Sequence, residues 1–129
     1  MKVLDASTAV DALTECPRNR AALEAISTGN LVAPELVDLE VLSTLARMER
    51  AGKLSRADGE KVVADWRAVP IERFALAPLL PRVWELRHYV QVSDAFYAAL
   101  ARSLDCPLIT SDGRLARAGI PGLDVRLIG

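Results

Sequence analysis

Three aspartates stand where the sequence predicts that a strand ends or a helix begins. Asp5 follows the apolar run "KVL", Asp112 follows "PLIT" with one serine between, and Asp94 opens the helical segment "SDAFYAALARSL". In an open α/β sheet, ligands bind beyond the carboxyl ends of the strands, near the point where the strand order reverses. If the two strands are neighbours at that point, all three carboxylates face one cleft.

Carboxylates that share a cleft repel one another unless a cation neutralises them. Ligand sets made only of oxygen select hard cations, so the sequence predicts a site for Mg²⁺ or Mn²⁺. Without metal, the pKa values of these carboxyl groups are expected to lie above their ordinary value of about 4. Taken singly, each aspartate is more simply explained as a helix cap or turn residue. The coincidence of three indicates a site.

The surrounding chain predicts the elements that must bring these residues together. Short apolar strands alternate with helices, which is typical of parallel βαβ units with helices on both faces of a sheet. The fold class is therefore α/β. Strands are predicted at 2–5, 31–33, 71–76, 107–110 and 124–128, and helices at 6–15, 17–28, 34–52, 55–69, from about 81 to 89, 93–104 and 112–119.

Capping residues predict where several helices begin. Ser7 or Thr8 is placed to cap the first helix, Ser55 the fourth and Ser93 the sixth. Pro34 is predicted to lie just inside the start of the third helix, where a missing N–H costs nothing.

The third helix has a broad apolar face and a narrow polar strip. The polar strip contains Glu40, which this pattern predicts to be solvated, whereas Asp38 interrupts the apolar face near the helix start. A face this broad is compatible with a partner surface, but burial in the core is the prediction we prefer. Its members are Leu36, Val37, Leu39, Val41, Leu42, Leu45, Ala46 and Met48.

The bulk composition is that of a single globular domain over residues 1–129. Apolar residues make up 51% and charged residues 26%, and the net charge of −1 leaves nucleic-acid binding to a local patch. No apolar run is long enough to cross a membrane. Cys16 and Cys106 make no disulfide framework and predict a cytoplasmic protein. The one histidine, His88, excludes sites built on two or more histidines.

Three segments carry a resemblance to a known family. "VLDASTAVDAL", "PELVDLEVLSTLAR" and "VSDAFYAALARSLDCPLITSDGRLAR" together resemble the PIN domain, in particular the VapC-type toxins of bacterial toxin–antitoxin pairs. The resemblance covers nearly the whole chain and is most specific in the last segment. It implies a three-layer α/β/α sandwich around a parallel sheet and a metal-dependent endoribonuclease. Residues 71–92 resemble the family least, so their role in substrate choice stays open.

The resemblance also implies roles for individual residues. Four acids are implied to bind metal in the cleft, which makes Glu40 a ligand instead of a solvated side chain: Asp5, Glu40, Asp94 and Asp112. Ser7 and Thr110 are implied to support these ligands without touching the metal. Arg114 is a candidate for binding an RNA phosphate, and a solvated helix residue explains it equally well.

Cofactor and partners follow from the same resemblance. The implied cofactor is Mg²⁺ or Mn²⁺, and the implied substrate is RNA. A cognate VapB-type antitoxin is implied to cover the acidic cleft with a C-terminal segment, often through an arginine. The resemblance also implies a homodimer and no interaction with a membrane.

Other functional classes fit the sequence less well. A phosphoaspartate receiver needs a lysine after a later strand, and Lys2, Lys53 and Lys61 do not follow strand ends. A serine hydrolase of the nucleophile-elbow type lacks its G-x-S-x-G motif. A PIN-like binding module without catalytic activity remains the alternative.

Overall fold

The computed structural model describes residues 1–129. Five strands form one sheet in the order β3-β2-β1-β4-β5, and every neighbouring pair is parallel. The order reverses between β1 and β4, the two strands that precede Asp5 and Asp112. The strands are β1 (Lys2–Leu4), β2 (Leu31–Pro34), β3 (Ile71–Phe74), β4 (Leu108–Thr110) and β5 (Val125–Leu127).

Seven helices cover the sheet in two layers. The first four pack together as one layer, and the sixth lies across β1, β2 and β4 with the fifth beside it. This arrangement confirms the predicted three-layer α/β/α sandwich. The helices are α1 (Ala6–Leu13), α2 (Asn19–Ile26), α3 (Leu36–Arg50), α4 (Arg56–Ala68), α5 (Leu80–Glu85), α6 (Val92–Leu104) and α7 (Gly113–Ala116), with a 3₁₀ turn at Ala77–Leu79 before α5.

The core lies between the central strands and the helices packed on them, with buried residues from α1, α3, α4 and α6. The side chains of β2 and β4 are buried throughout, as expected for parallel strands that are covered on both faces. The edge strands β3 and β5 are only partly buried. Alanines on α6, among them Ala95, Ala98 and Ala101, are also buried, and their small side chains let this helix lie close to the sheet.

Two predicted caps are wrong. Asp5 itself caps α1, because its carboxylate accepts a hydrogen bond from the Thr8 N–H at 3.0 Å, so neither Ser7 nor Thr8 has that role. Helix α6 begins at Val92 with Gln91 at the N-cap position, which places Ser93 inside the first turn.

The predictions for the starts of α4 and α3 have different outcomes. Ser55 caps α4 as predicted, accepting from the Asp58 N–H at 3.1 Å. Pro34 ends β2, where it pairs with Phe74, and α3 begins at Leu36, so the placement of Pro34 inside α3 was wrong. Proline is tolerated at such a strand end because no further sheet hydrogen bond is required from its nitrogen.

The apolar face of α3 divides into a buried and an exposed part. Val37, Val41 and Leu45 are buried, whereas 69% of Leu39 and 46% of Leu42 are exposed. The prediction that the whole face belongs to the core was therefore wrong, because one helix buries a narrower stripe than this face provides. A groove of about 380 Å³ runs between α3 and α4, lined by Leu42, Leu45, Ala46, Glu49, Gly59, Glu60 and Val63.

Asp38, which interrupts the apolar face of α3, joins three elements. Its carboxylate accepts hydrogen bonds from Arg73 Nε at 2.6 Å and Nη2 at 2.9 Å, and from Trp66 Nε1 at 2.8 Å. Arg73 also lies over the Trp66 ring, 5.6 Å from its centroid. The hydrogen bonds from Arg73 lower the pKa of Asp38 despite partial burial. This cluster of Asp38, Trp66 and Arg73 ties α3 to α4 and β3.

Both cysteines, Cys16 and Cys106, are free thiols, in agreement with the absence of a disulfide framework. None of the helices combines the length and the apolar composition needed to cross a lipid bilayer.

Candidate active site

The four acids named by the sequence line one cleft at the carboxyl edge of the sheet. Asp5 and Asp112 follow β1 and β4, Asp94 lies in the first turn of α6, and Glu40 lies in the second turn of α3. The cleft has a volume of about 330 Å³. Its other lining residues are Ala6, Ser7, Thr44, Arg47, Gln91, Ser93, Tyr97 and Arg114.

Asp5 is the most buried of the four acids, with only 5% of its surface exposed. Its Oδ1 accepts hydrogen bonds from Ser7 Oγ at 2.9 Å, Thr8 Oγ1 at 2.9 Å and the Thr8 N–H, and its Oδ2 accepts one from Thr110 Oγ1 at 2.5 Å. Burial raises the pKa of Asp5, and the hydrogen bonds only partly oppose that rise. The carboxylate is therefore held in one orientation at the base of the cleft.

Two hydroxyl groups connect Asp5 to the loop after β4. The Thr110 hydroxyl accepts the Asp112 N–H at 2.9 Å while donating to Asp5, and Ser7 Oγ accepts the Ser111 N–H at 3.4 Å. Both residues thus contact Asp5, and the supporting role that the resemblance implies for them stays a prediction. These links fix the position of Asp112 relative to Asp5.

Glu40 is half-buried, and its Oε1 accepts a hydrogen bond from the Tyr97 hydroxyl at 2.6 Å. The helical pattern that predicted a solvated glutamate was wrong, because this part of the polar strip faces α6 instead of water. Tyr97 is 1% exposed, and burial followed by the contact with Glu40 raises the pKa of its phenol. Sequence reasoning missed Tyr97, although it follows Asp94 by three residues and so shares its helix face.

Asp94 shows the mutual repulsion of the acids most clearly. Burial, and then the charges of Asp112, Glu40 and Asp5, raise the pKa of Asp94 to about 6, with Arg114 opposing them. The pKa of Asp94 is therefore raised in part by the predicted repulsion, whereas the pKa of Asp5 is raised in the predicted direction but by burial.

The same prediction was wrong for Asp112. Burial alone would raise the pKa of Asp112, but hydrogen bonds and the charge of Arg114 outweigh it and lower the pKa. Asp112 Oδ1 accepts the Arg114 N–H at 2.9 Å, which caps α7, and Oδ2 lies 3.3 Å from Arg114 Nη2. Asp112 is thus both a helix cap and a wall of the cleft.

Two arginines from different elements bring positive charge to the acidic cleft. Arg114, 78% of whose side chain is exposed, lies after β4, and Arg47 comes from α3, where its Nη2 is 3.2 Å from Thr44 Oγ1. Sequence reasoning missed Arg47 and Thr44. They follow Glu40 by seven and four residues, a spacing that places all three on one face of the helix.

The donor set of the cleft fits a hard cation by its chemistry. All four acids offer carboxylate oxygens, the ligands that Mg²⁺ and Mn²⁺ prefer, and a bound cation would relieve the repulsion that raises the pKa of Asp94. No three histidine, cysteine, aspartate or glutamate side chains already stand close enough together to hold an ion. The cleft thus has the right ligands but is not a preassembled coordination site.

Three other polar residues, His88, Asp38 and Arg73, lie outside the cleft. His88 is exposed in the segment after α5 and does not line the cleft. Arg73 and Asp38 also lie outside it, in the cluster that joins α3, α4 and β3.

Comparison with known proteins gives concordant results from sequence and structure. A family model described as the PIN domain matches residues 2–121. VapC ribonuclease Mb0985 of Mycobacterium bovis is 38% identical over 119 residues, covering 92% of this chain and 91% of the relative. Ribonuclease VapC12 of Mycobacterium tuberculosis is 34% identical over 128 residues, covering 99% of both chains.

Solved structures share the fold at low sequence identity. VapBC2 from Rickettsia felis, bound to a DNA fragment from its promoter, matches with a TM-score of 0.72 and 15% identity, covering 99% of this chain and 98% of that one. VapC20 of Mycobacterium tuberculosis, described as a toxin that cleaves the sarcin–ricin loop, matches with a TM-score of 0.69 and 18% identity, covering 95% and 98%.

Proposed function

The chain belongs to the PIN-domain family and to its VapC ribonucleases, and we propose that it is a metal-dependent endoribonuclease toxin whose acidic cleft cleaves RNA. The observation that carries this proposal is the convergence of four carboxylates from β1, α3, α6 and the β4–α7 loop on one cleft. Two arginines in the same cleft supply the positive charge that an RNA backbone needs.

Asp5, Glu40, Asp94 and Asp112 would hold Mg²⁺ or Mn²⁺. Such an ion, when bound, supplies a water nucleophile at neutral pH and neutralises charge on the phosphate and the leaving oxygen. The chain prepares this site by holding Asp5 through Ser7 and Thr110 and by orienting Glu40 through the Tyr97 hydroxyl.

The arginines position the substrate. Arg114 is already held at the rim by Asp112, and its exposed guanidinium is free to donate to a phosphate oxygen while keeping that contact. Arg47, on α3, lines the same cleft and would also donate to a phosphate oxygen. We expect cleavage to leave a 5′-phosphate and a 3′-hydroxyl, because the leaving group is the 3′-oxygen.

The metal requirement tests the proposal directly. A structured RNA should be cleaved in the presence of Mg²⁺ or Mn²⁺, much more slowly with Ca²⁺, which prefers looser coordination, and not at all in excess EDTA. Undiminished cleavage in EDTA would contradict the metal mechanism. Binding of RNA without cleavage under any metal would favour the alternative, an inactive PIN-like binding module.

The RNA target is best identified in cells. Sequencing of RNA 5′ ends after induced expression, without a partner protein, should show new 5′-phosphate ends that are absent for Asp94→Asn. Asp65→Asn and Asp105→Asn are matched controls. Asp65 forms a surface pair with Lys61, and Asp105 has a left-handed backbone (φ 51°) that asparagine tolerates, so both variants should keep the new ends.

We also propose a VapB-type antitoxin as the partner of this chain. The acidic cleft suits an arginine from such a partner, and the groove between α3 and α4 suits an apolar helix beside it, since α3 borders both. Co-expression should abolish cleavage, and Leu42→Asp on the rim of the groove should weaken the complex while leaving cleavage intact.

Two further proposals concern assembly and compartment. We propose a homodimer, which sedimentation equilibrium of the purified chain would show as twice the mass of 14.0 kDa. We also propose that the protein works in the cytoplasm, where free thiols such as Cys16 and Cys106 stay reduced.

A further inference from the structure

A smaller pocket continues the acidic cleft past Asp94 and Arg114. It has a volume of about 170 Å³ and shares Gln91, Asp94 and Arg114 with the cleft, so the two form one continuous depression. Its remaining lining residues are Tyr89, Val90 and Leu115. Of these three, only Leu115 contacts an acid, through a backbone hydrogen bond to Asp112.

The composition of this pocket suits a flat ring. Tyr89 is 47% exposed, its hydroxyl makes no hydrogen bond within the chain, and the half-buried Val90 and buried Leu115 add apolar surface beside it. The backbone that carries the ring is fixed, because the N–H groups of Tyr89 and Val90 both donate to Leu86 O, at 3.0 and 3.4 Å. An exposed aromatic ring on a fixed backbone offers a stacking platform for a base.

Size and neighbours narrow the ligand further. Sites for whole small molecules usually measure about 300–1,000 Å³, so a pocket of this volume takes one planar group of a larger ligand whose remainder lies in the cleft. Gln91 lies at the junction and offers both a donor and an acceptor to a base edge. Arg114, also at the junction, lies where a phosphate would connect the base to the acids.

A nearby aromatic residue provides a contrast. Trp84 is 63% exposed, more than Tyr89, but it lines neither the cleft nor the pocket, and Arg87 lies over its ring at 4.3 Å from the centroid. The Tyr89 ring has no cation over it. Exposure alone therefore does not single out Tyr89; its place beside the acids and its uncovered ring do.

We propose that Tyr89, Gln91 and Arg114 form a base-binding subsite, in which an unpaired RNA base next to the cleaved bond stacks on Tyr89 and hydrogen-bonds to Gln91. This inference rests on the proposed ribonuclease function and deepens it, because it makes the substrate an RNA with an unpaired base at that position. Bases in a duplex are stacked on their neighbours and could not reach the ring. Tyr89 and Gln91 lie within residues 71–92, whose role in substrate choice the sequence left open.

Cleavage kinetics test the stacking contact. Tyr89→Ala should lower kcat/KM on a short single-stranded RNA by roughly 5- to 150-fold, the range for loss of one base–aromatic stack, and Tyr89→Phe should restore it. Replacing the base beside the cleaved bond with an abasic residue should lower kcat/KM of the wild-type protein by a similar factor. The same replacement should lower kcat/KM of Tyr89→Ala only slightly, because the stack is already lost. Trp84→Ala is the matched control and should cleave at the wild-type rate.

Gln91→Ala should change the preference among bases at that position more than it changes the rate on the best substrate. The subsite would be overturned if Tyr89→Ala and wild type cleaved every sequence at equal rates. It would also be overturned if the losses from Tyr89→Ala and from the abasic residue multiplied, since the two changes would then act independently. A Tyr89→Ala variant that binds the antitoxin more weakly and cleaves RNA normally would overturn it too, since the pocket would then belong to the partner.

A binding measurement separates this inference from the proposed function. RNA carrying 2-aminopurine should lose fluorescence on binding wild type in EDTA, and much less on binding Tyr89→Ala, whether or not the protein cleaves. Quenching without cleavage under any metal would contradict the ribonuclease proposal and leave the subsite standing. Cleavage accompanied by quenching that does not depend on Tyr89 would contradict the subsite and leave the ribonuclease proposal standing.

Discussion

Helix α3 carries two acids two residues apart, and their surroundings are opposite. Asp38 accepts hydrogen bonds from Arg73 and Trp66, and the bonds from Arg73 lower its pKa. Glu40 accepts one from a neutral phenol, Tyr97, and shares its cleft with Asp94, whose pKa burial and neighbouring acids raise to about 6. One acid has its charge balanced within the chain, and the other lies in a cleft where acids outnumber cations.

This difference shows how a structural acid is distinguished from a candidate catalytic one. A carboxylate with an internal cation contributes to stability and needs nothing from outside. Carboxylates that repel one another cost stability, and a fold that keeps them together is expected to gain it back from an external cation. The charge of each acid's neighbours is therefore more informative than its own position on the helix.

The largest expected effect is the loss of cleavage when a cleft acid is neutralised. Asp5→Asn, Glu40→Gln, Asp94→Asn and Asp112→Asn should each lower RNA cleavage by more than the ~100-fold that substitution of an outer-shell residue typically costs. Asp38→Asn makes the same chemical change in the balanced cluster and should keep cleavage within a few-fold of wild type. Initial rates on one RNA with saturating Mn²⁺ measure both.

Equal losses from Asp38→Asn and Asp94→Asn would erase the distinction between the two clusters. Melting temperatures measured alongside the rates show whether a lost activity reflects unfolding. A cleft variant that stays folded and cleaves normally would remove that residue from the proposed metal site.

A smaller loss is expected from the hydroxyl groups that hold Asp5. Thr110→Val and Ser7→Ala should lower cleavage by about 10- to 100-fold and weaken Mn²⁺ binding, because the Asp5 carboxylate loses a fixed orientation. Thr14→Val is the matched control: its buried hydroxyl donates to Val10 O on α1, outside the cleft, and cleavage should persist. Full activity in Thr110→Val would mean that Asp5 needs no such support.

The two clusters should respond oppositely in stability. Asp38→Asn should lower the free energy of unfolding by about 1 kcal/mol, a modest cost because the pair with Arg73 is partly exposed and solvent screens it. Asp94→Asn should leave the metal-free protein as stable as wild type or more so at pH 7, because it removes one repelling charge. Urea unfolding in EDTA measures both, and a destabilised Asp94→Asn would show that Asp94 stabilises the fold.

The smallest expected effect is a difference in pH dependence. The raised pKa of Asp94 makes the metal-free folded state bind more protons than the unfolded state between about pH 4 and 6, so stability should fall as pH rises through that range. Asp94→Asn should flatten this slope. Asp38 has a lowered pKa, so its contribution should be present above about pH 4 and be lost as pH falls further.

Melting temperatures from pH 3 to 8 in EDTA would resolve the two contributions. A wild-type protein whose stability changes between pH 4 and 6 in the same way as that of Asp94→Asn would contradict the repulsion assigned to the cleft. Wild type and Asp38→Asn should differ mainly above pH 4.

Much of the framework was predictable from local pattern. Short apolar strands and the helices between them could be located because strand length, apolar content and turn residues depend on neighbouring positions in the chain. The acids after β1 and β4 could be assigned to one edge because parallel strands present their carboxyl ends together. Ser55 was predicted correctly as a cap because a serine cap depends on the next three residues alone.

Tertiary structure alone decided which way each polar residue faces and what it meets. The period of α3 placed Glu40 on a polar strip but could not show that this strip faces Tyr97 on α6, 57 residues away. It likewise could not show that Asp38 meets Arg73 from β3, or that the pocket beside Tyr89 opens into the acidic cleft. The sequence by itself determined the elements and the acids at their ends, because those follow from local free energies. The partners of these residues depend on how distant elements pack, and that packing determines which charges are balanced.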